Sequence, residues 1–532
     1  MYKILLSYCF SIISFYAIAQ DNLPTDFLSK EFHAGRREAF RQKMPENSVA
    51  VIFSFPERTF SNDVTYNYHP NPDMYYLSGY KEPDALLIIF KNKQQQGGSS
   101  YNELFFARKR DALMEQWTGR RLGVEGVKKE LGFEQVYTSD QFKTFDIDLS
   151  KFSQIIYDYL PDDIGPGTLQ SLINSFCEKA KISRRENKNV VQTYNILLNS
   201  TSAANLPGRI NRIKSSMSNT EDDAFRNDPL LNELINNPTA QTLLAIQDKI
   251  RKNGSAALQY NKILGSLREI KTPEELVLIR KSITLSAIAH KEVMKAITPA
   301  MSESELTGIF HYVHKRYGAM EEGYPPIVGA GSNGCILHYI ENNATKVENK
   351  LVLMDVGSEY HGYSADITRT VPANGKFTPE QKAIYNLVYE AQEEVFKIVK
   401  EGTPFRDLNV KTTEVLAQGL LELGIIKDKK DVSRYYIHGV SHHLGLDVHD
   451  KFADPVLKEN MLITVEPGIY IPKGSPCDPK WWDLAVRIED DLLVGKNGYE
   501  NLSIAAPRKL EEIEATLAQK SVLNNLVLPK LK

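Results

Sequence analysis

The sequence predicts an α+β protein in two domains, an α/β domain at the amino terminus followed by a larger α+β domain. One indication is length, since 532 residues exceed what a single hydrophobic core usually organises. Another is the alternation of capped helices with apolar strands after residue 266. The last is a faint repeat, in which residues 351–357 (LVLMDVG) align without gaps on residues 462–468 (LITVEPG). The repeat predicts two halves of the second domain related by a pseudo-twofold axis.

The composition is that of an ordinary globular protein, with 25% charged and 42% hydrophobic residues. A net charge of −3 gives no reason to expect binding to nucleic acid or to an anionic membrane surface. Outside the leader described next, Cys177, Cys335 and Cys477 are an odd number without a CxxC pair. We therefore expect no disulfide framework, no zinc-finger spacing and at most one bridge.

The first 19 residues have the features of a signal peptide. Lys3 precedes a mostly apolar run, residues 4–18, and the segment closes on the small-residue pattern Ala17-Ile18-Ala19. A run of about 15 residues is too short for a comfortable transmembrane helix. Cleavage would leave Gln20 first, with no cysteine for lipid attachment. We expect an exported protein, periplasmic or secreted, without a membrane span after cleavage; a buried amino-terminal helix is the alternative.

Residues 20–265 mix strands and helices. Residues 48–54 and 85–90 are apolar runs of strand length. Residues 186–262 are polar and rich in Asn, Ser and Lys, with helical pieces such as residues 240–250. They indicate an insertion or an elaborated connector, and their periodic Leu and Ile residues argue against disorder.

Helix starts mark the second domain, residues 266–532. Thr272 is a capping residue, and the Pro that follows it suits the first position of a helix. The two Glu residues after the Pro place negative charge at the positive end of the helix dipole. Ser302 with Glu305, and Thr378 with Gln381, have the spacing of capping boxes. Each start leads into a helix that alternates with apolar strands.

Two acids lie within strand-like runs in residues 351–371. A hairpin centred on Tyr360 and His361 would place Asp355 directly opposite Asp366. Facing residues have Cβ atoms about 5 Å apart, where like charges are destabilising. The pattern predicts a bound metal ion; two unrelated, solvated acids at loop ends are the alternative.

The second half of the repeat supplies another pair of acids, Glu466 and Glu489, and the chain between the halves is rich in histidine. Residues 438–449 hold four of the 11 histidines, and their glycines argue against a helix of the HExxH zinc type. A solvated histidine cluster is the alternative. Four carboxylates with one imidazole favour manganese or a similar ion, and their charge calls for two ions. Two such ions can share a water and lower its pKa, so hydrolysis of a carbonyl is the natural chemistry.

Six motifs in this order resemble the pita-bread metallopeptidases, family M24, and among them the aminopeptidase P (Xaa-Pro aminopeptidase) branch. Parts of residues 36–123 are similar to the amino-terminal domain of that branch. After the signal peptide expected at residues 1–19, the resemblance implies an aminopeptidase P amino-terminal domain (20–265), which here carries the polar insertion, and a pita-bread catalytic domain (266–532). The motifs lie at residues 328–339, 354–357, 366–370, 438–442, 464–468 and 487–491.

The resemblance also implies roles for individual residues. Two divalent ions are expected, Mn²⁺ first, with Zn²⁺ or Co²⁺ as alternatives. Glu466 would in addition take the proton of the attacking water, while His338 and His449 would steady the scissile carbonyl and the oxyanion. Tyr470 and Arg487 would orient the ligands, and His438 would be a further pocket histidine. The implied metal ligands are Asp355, Asp366, His442, Glu466 and Glu489.

The implied activity is that of an exopeptidase that hydrolyses the bond between an amino-terminal residue and a penultimate proline, through a water or hydroxide bridging the metals. An Xaa-Pro bond has no N–H and a fixed φ, so peptidases that grip the N–H are handicapped. An Xaa-Pro dipeptidase (prolidase) is the alternative within the fold, which the amino-terminal domain disfavours. A non-catalytic binding protein is disfavoured by five intact ligands. A homo-oligomer, dimer or tetramer, is implied, and His69 and His443 depart from the branch's usual pattern.

Overall fold

The structure is a computed structural model that describes residues 25–96, 98–161, 164–182, 186–198, 206–253 and 255–525. The expected signal peptide lies outside these ranges. No helix in the described part of the chain is long and apolar enough to cross a membrane. The α+β class predicted from the sequence is confirmed.

The amino-terminal domain is built on a five-stranded mixed sheet with helices around it. Its elements are α1 (Lys30–Lys43), β1 (Ser48–Phe53), β2 (Thr59–Ser61), β3 (Val64–Thr65), α2 (Pro72–Ser78), β4 (Leu86–Gln96), β5 (Ser99–Ala107), α3 (Ala112–Thr118), α4 (Gly123–Leu131), β6 (Val136–Thr138), β7 (Gln154–Tyr157) and α5 (Thr168–Ala180). The sheet runs β6-β5-β4-β1-β7, and the short strands β2 and β3 form a separate hairpin.

The position of strand β1 in the sheet explains why residues 48–54 form a continuous apolar run. Its alternate side chains enter two different cores, Val49 and Val51 on one face and Ala50 and Ile52 on the other. Because both faces of the sheet are covered, neither set can be polar.

The polar segment predicted as an insertion is mostly helical where the structure describes it. It contains α6 (Lys188–Leu198), α7 (Leu206–Ser218), α8 (Asp223–Arg226), α9 (Pro229–Asn236), α10 (Ala240–Asn253) and α11 (Ala256–Arg268). Leu and Ile residues of these helices form a small core of their own, including Leu197, Leu231 and Ile246. The domain boundary expected at residue 265 falls inside α11, so one helix joins the two parts of the chain.

The second domain alternates helices with hairpins, and the three predicted helix starts at Thr272, Ser302 and Thr378 all form capping boxes. The elements are α12 (Pro273–Ala296), α13 (Glu303–Arg316), β8 (Glu321–Glu322), β9 (Ile327–Ala330), β10 (Leu351–Asp355), β11 (Ser358–Tyr360), β12 (Tyr363–Ser364), β13 (Thr368–Pro372), α14 (Pro379–Phe396), α15 (Phe405–Glu422), β14 (Leu462–Val465), β15 (Gly468–Ile471), β16 (Leu484–Arg487), β17 (Asp490–Val494), β18 (Tyr499–Asn501) and α16 (Leu510–Leu517). Helices and strands share one core, to which Val388, Leu416 and Val486 contribute wholly buried side chains.

The first hairpin forms, but its centre lies one residue later than predicted, so the pairing is shifted by two residues. Tyr360 pairs with Tyr363, so the turn is His361-Gly362, and Asp355 pairs with Thr368 rather than Asp366. Both turn residues have positive φ, +49° and +88°. A two-residue hairpin turn of this twist requires positive φ at both positions, and glycine adopts it without steric cost.

The two halves of the repeat are long hairpins that are interrupted at their acids. In the first, β10 pairs with β13 and β11 with β12; in the second, β14 pairs with β17 and β15 with β16. The register of the second places Glu466 opposite Glu489. In the first, Gly357 lies so close to the other strand that a Cβ there would come within 1.8 Å of the carbonyl oxygen of Ala365. Gly357 therefore belongs to the interruption of the first hairpin, whereas its counterpart Gly468 begins β15.

Buried charges join the amino-terminal domain to the loop that carries His449. The guanidinium of Arg268, at the end of α11, donates to Asp73 at 2.6 Å and to Asp447 at 2.7 Å, and it also pairs with Asp450. Arg268 is 1% exposed. Lys451 of the same loop reaches Asp73 at 2.6 Å. Helix α2, helix α11 and residues 447–451 are thus held by one ionic cluster.

Replacing the central cation of this cluster tests its contribution. Arg268→Met is expected to lower the free energy of unfolding by about 3 kcal/mol, the lower end of what removing one partner of a buried ion pair costs. The cost stays at the lower end because two cations remain, Lys271, which lies 2.8 Å from Asp450, and Lys451. The matched control is Arg280→Met, which removes an exposed pair with Glu500 and should cost less than about 1 kcal/mol. Guanidinium unfolding curves measure both, and equal midpoints for the two variants would contradict the interpretation.

Candidate active site

The two hairpins enclose a cavity of about 610 Å³ in the second domain. All five predicted metal ligands line it, and so does every other predicted site residue except Tyr470, which lies behind Arg487. The predicted residues on its wall are His338, Asp355, Asp366, His438, His442, His449, Glu466, Arg487 and Glu489.

The carboxylates of the cavity are buried against one another. Burial first, and then the charge of Asp355, raises the pKa of Asp366 well above its usual range. Burial and the charge of Asp366 do the same for Glu489. Burial, followed by the charge of Glu489, raises the pKa of Glu466 to about 8. Without a cation these carboxyl groups resist ionisation. A cation bound among their oxygens would stabilise the charged form and so lower their pKa values.

His442 is oriented as a metal ligand. Its Nδ1 lies 3.0 Å from the carbonyl oxygen of His443, so Nδ1 carries the proton and the lone pair of Nε2 faces the acids. That Nε2 atom lies 3.4 Å from Asp366 and 3.5 Å from Glu466. Ligand atoms of Asp366, His442 and Glu489 lie within 4.8 Å of one another. A lone pair directed at carboxylate oxygens is repulsive unless a cation lies between them, and this donor set fits a divalent ion.

A chain of hydrogen bonds behind the carboxylates fixes the proton on His438. Arg487 donates to Asp355 at 2.5 Å and to the Tyr470 hydroxyl at 2.8 Å. The Tyr470 proton is then directed to Nε2 of His438, 2.9 Å away, and Nδ1 of His438 donates to the carbonyl oxygen of Gly439 at 2.8 Å. Burial lowers the pKa of His438 to about 4, which agrees with a neutral, accepting ring.

Sequence reasoning missed Tyr324 and Thr368. The Tyr324 hydroxyl lies 2.5 Å from Asp355 and 2.6 Å from Asp366, yet it has one proton to donate. The Thr368 hydroxyl donates to Glu489 at 2.6 Å and accepts from Arg487 at 3.1 Å. No periodicity or motif marks a lone tyrosine before β9. Thr368 was within reach of sequence reasoning, because the correct hairpin register puts it opposite Asp355.

His449 and His338 occupy the wall of the cavity beside the acids. The ring of His449 packs edge-on against that of His442, with centroids 4.2 Å apart. Burial lowers the pKa of His449 to about 4, so its ring is neutral at pH 7. His338 lies in the loop between β9 and β10.

Glu303, at the first turn of α13, anchors the loop that carries His338. Its carboxylate is wholly buried and accepts four hydrogen bonds, two on each oxygen. The backbone N–H of Ala330 and the amide of Asn333 serve one oxygen, at 2.8 and 3.0 Å. The Tyr339 hydroxyl and the N–H of Ala344 serve the other, both at 2.8 Å. A helix N-terminus favours the negative charge as well.

The two histidines that depart from the expected pattern have local explanations. His443 is buried and stacks on Phe405 and Phe452, with centroids 5.3 and 4.5 Å apart, so it packs as an aromatic core residue. Burial lowers its pKa to about 3. His69 bonds to Glu359 at 2.7 Å, and that carboxylate raises the pKa of His69.

Comparisons with known proteins identify the family to which the chain belongs. Residues 277–496 match the sequence model of metallopeptidase family M24, and residues 33–156 match that of the aminopeptidase P N-terminal domain. The chain is 30% identical over 506 residues to the Xaa-Pro aminopeptidase of Escherichia coli K12, covering 92% of this chain and 98% of that protein. The chain belongs to metallopeptidase family M24. The predicted pita-bread family is thereby confirmed, together with the aminopeptidase P type of amino-terminal domain.

Solved structures and a further relative extend the comparison. The structure of aminopeptidase P from Escherichia coli with the inhibitor Pro-Leu has a TM-score of 0.71 and 29% identity, covering 92% of this chain and 98% of that one. A zinc-substituted form of the same enzyme with product has a TM-score of 0.70. The mitochondrial intermediate cleaving peptidase 55 of Arabidopsis thaliana is 28% identical, covering 92% of this chain and 83% of that protein. Membership in the family makes this chain a metallopeptidase.

Glu303→Gln tests the anchoring of the His338 loop. All four partners of Glu303 are donors, so the amide nitrogen of Gln must face at least one of them, and an unsatisfied buried group costs about 1–3 kcal/mol. We expect a lower melting temperature together with reduced peptidase activity. The control is Glu305→Gln in the same helical turn, where Gln still completes the capping box. Equal melting temperatures and equal peptidase activities for the two variants would contradict the anchoring role of Glu303.

Proposed function

We propose that this protein is a metal-dependent Xaa-Pro aminopeptidase, which hydrolyses the bond between an amino-terminal residue and a penultimate proline. The observation that carries the proposal is the buried cluster of four carboxylates and the His442 imidazole on the wall of one cavity. The amino-terminal domain of the aminopeptidase P type supports the same function. Relatives that match nearly the whole chain are named Xaa-Pro aminopeptidase.

The cluster would hold two divalent cations, for which we propose Mn²⁺, with Zn²⁺ or Co²⁺ as alternatives. An oxygen-rich set with one imidazole favours manganese, and four carboxylates exceed the charge of one divalent ion. Bound cations would polarise the scissile carbonyl and lower the pKa of water. The residues that would hold them are Asp355, Asp366, His442, Glu466 and Glu489.

Glu466 is the residue that accepts the proton of the attacking water. What supports this role is its position: a carboxylate that ligates the cations would lie within hydrogen-bond reach of a water among them. Its position on the cavity wall lets it reach a water beside the other acids. The same carboxyl then returns the proton to the leaving proline nitrogen.

His338 and His449 hold the carbonyl oxygen of the scissile bond. A neutral ring with an N–H can donate to that oxygen, and the pKa of about 4 supports such a state for His449. Arg487 and Tyr470 act behind the acids, since the guanidinium fixes Asp355 and the phenol fixes His438. They keep the acids and the imidazole in position during the reaction.

Proline is recognised by shape rather than by its backbone. The residue has no N–H, so the site needs an apolar wall instead of a hydrogen-bond acceptor at that position. Side chains of Ile327, Leu337, Ile340 and Val448 provide apolar surface on the cavity wall. A compact ring with a fixed φ packs against such a wall at low entropic cost.

Export and assembly are part of the proposal. The charged start, the apolar run and the Ala17-Ile18-Ala19 pattern support removal of residues 1–19 and a periplasmic or secreted location. A homo-oligomer is proposed from family resemblance. Amino-terminal sequencing of the mature chain and light scattering test these two points.

Three peptides and one variant test the function. We expect hydrolysis of Ala-Pro-Ala after its first residue, with Ala-Ala-Ala cleaved at least about 100-fold less efficiently, which is within reach of a site shaped for one ring. Cleavage confined to the dipeptide Ala-Pro would instead identify an Xaa-Pro dipeptidase. Glu466→Gln should lower kcat about 10²–10⁴-fold, the usual contribution of a general base. Glu511→Gln, an exposed acid on α16, is the control and should match the wild type.

A further inference from the structure

We propose that the charge on His69 holds an exposed flap of the amino-terminal domain against the catalytic domain, and that loss of this charge releases the flap. The flap is the connection between β1 and α2, residues 55–69, and it contains the short hairpin of β2 and β3. We call the ion pair of His69 with Glu359 the latch. The latch makes the contact between the domains sensitive to pH, a property separate from the proposed peptidase function.

The flap is fixed at its base and exposed beyond it. The side-chain amide of Asn71 donates to the carbonyl oxygen of Phe53 at 2.9 Å and so joins the two ends of the connection. The Tyr68 hydroxyl donates to the carbonyl oxygen of Phe55 at 3.1 Å. All residues of β2 and β3 are exposed. A segment with little buried apolar surface opens at low free-energy cost, so single polar contacts can decide its position.

The latch joins the flap to the first catalytic hairpin. Nε2 of His69 lies 2.7 Å from a carboxylate oxygen of Glu359 on β11, which is the distance of a charge-assisted hydrogen bond. The side chain of Glu359 is 6% exposed and that of His69 is 49% exposed. Beside the latch, the Asn67 amide donates to Glu321 on β8 at 2.7 Å. Residues 67–69 therefore contact two neighbouring strands of the catalytic domain.

The environment of Glu359 requires a cation. The pairing of β8 with β11 places Glu359 directly opposite Glu321, where like charges are destabilising. Glu321 pairs with Lys315 at 3.0 Å. In the part of the chain that the structure describes, the ion pair of Glu359 is the one with His69. A carboxylate buried without a cation is strongly destabilised, so the charge of His69 matters more than its exposure alone would indicate.

The acids that face His69 favour its charged form. The hydrogen bond from Glu359 raises the pKa of His69 above its ordinary value, burial opposes this rise, and the charge of Asp447 adds to it. Asp447 lies on the other side of the cavity that His69 lines, next to His449. His449 is neutral at pH 7 and adds no positive charge there.

Two other basic side chains, Lys81 and His361, share a small cavity with His69. The Lys81 ammonium lies 3.4 Å from the centroid of the Phe27 ring, and Nε2 of His361 bonds to Asp26 at 2.8 Å. Burial lowers the pKa of Lys81 and that of His361. Because both have partners of their own, His69 is the group that neutralises the acid on β11.

The raised pKa of His69 sets the pH range in which the latch holds. A histidine with a raised pKa in the folded protein contributes stability that is fully present below its ordinary pKa of about 6.5. The contribution is lost as the pH rises through the raised pKa. The latch is therefore closed in mildly acidic solution and open in alkaline solution.

Release of the flap changes a cavity beside the active site. His69, Glu359 and His449 line the same space of about 230 Å³. While the latch is closed, the imidazole of His69 forms one wall of this space. When the flap opens, the wall moves away and the loop of His449 becomes more accessible to solvent.

Hydrogen exchange of the flap in the whole protein tests the latch. At pH 6 the amides of residues 57–67 should exchange about threefold more slowly in the wild type than in His69→Gln, the effect of a half-exposed ion pair. Above the pKa that an NMR titration of His69 gives, the two proteins should exchange alike. His69→Arg stays charged, so its amides should exchange more slowly than those of His69→Gln at both pH values. Glu359→Gln should lower the titrated pKa of His69.

The matched control is His311→Gln. His311 pairs with Glu322 at 3.3 Å through a side chain that is 51% exposed, and this pair lies within the catalytic domain. Its loss should leave exchange of the flap unchanged. The latch is overturned if the flap exchanges equally in the wild type and His69→Gln at pH 6, or if His311→Gln accelerates it as much. Exchange needs no peptidase activity, so these outcomes are independent of the proposed function.

Discussion

Mutual repulsion among buried carboxylates is the constraint on which the rest of the site depends. Burial and neighbouring acids raise the pKa values of Asp366, Glu466 and Glu489 together. Among the described residues on the cavity wall, Arg487 is the one arginine or lysine that faces them. One guanidinium cannot balance four carboxylates, and the fold nevertheless holds them close. Binding of cations is the arrangement that makes this packing stable, and the lone pair of His442 points to the same place.

The acids come from strands and the histidines from loops, so the two sets are held by different means. Paired strands fix the acids through register, and residues such as Thr368 cross-link one hairpin to the other. The loops of His449 and His338 have no strand register, and buried ionic anchors replace it. Arg268 ties the first loop to the amino-terminal domain, and Glu303 ties the second to α13. Through the Arg268 anchor the chemistry depends on both domains.

Most of the correct predictions from the sequence came from patterns among residues that are close together in the chain. The capping boxes, the buried strands and the spacing of the acids depend on neighbours in the chain, and the structure contains all of them. The register of the first hairpin was wrong because a backbone requirement at His361-Gly362 decides the turn, and the pattern of apolar residues does not record it. Tyr324 was missed because its contacts with Asp355 and Asp366 arise only when β9 pairs with β10.

Titration of metal-stripped protein with Mn²⁺ tests the central claim most directly. Calorimetry should give two ions per chain, and saturation at about 100 times the dissociation constant should stabilise the fold by about 2.7 kcal/mol, visible as a higher melting temperature. Asp366→Asn, which removes charge at the centre of the cluster, should weaken binding and reduce that shift. Protein that binds no divalent ion, and whose melting temperature does not respond to Mn²⁺, Zn²⁺ or Co²⁺, would contradict the account.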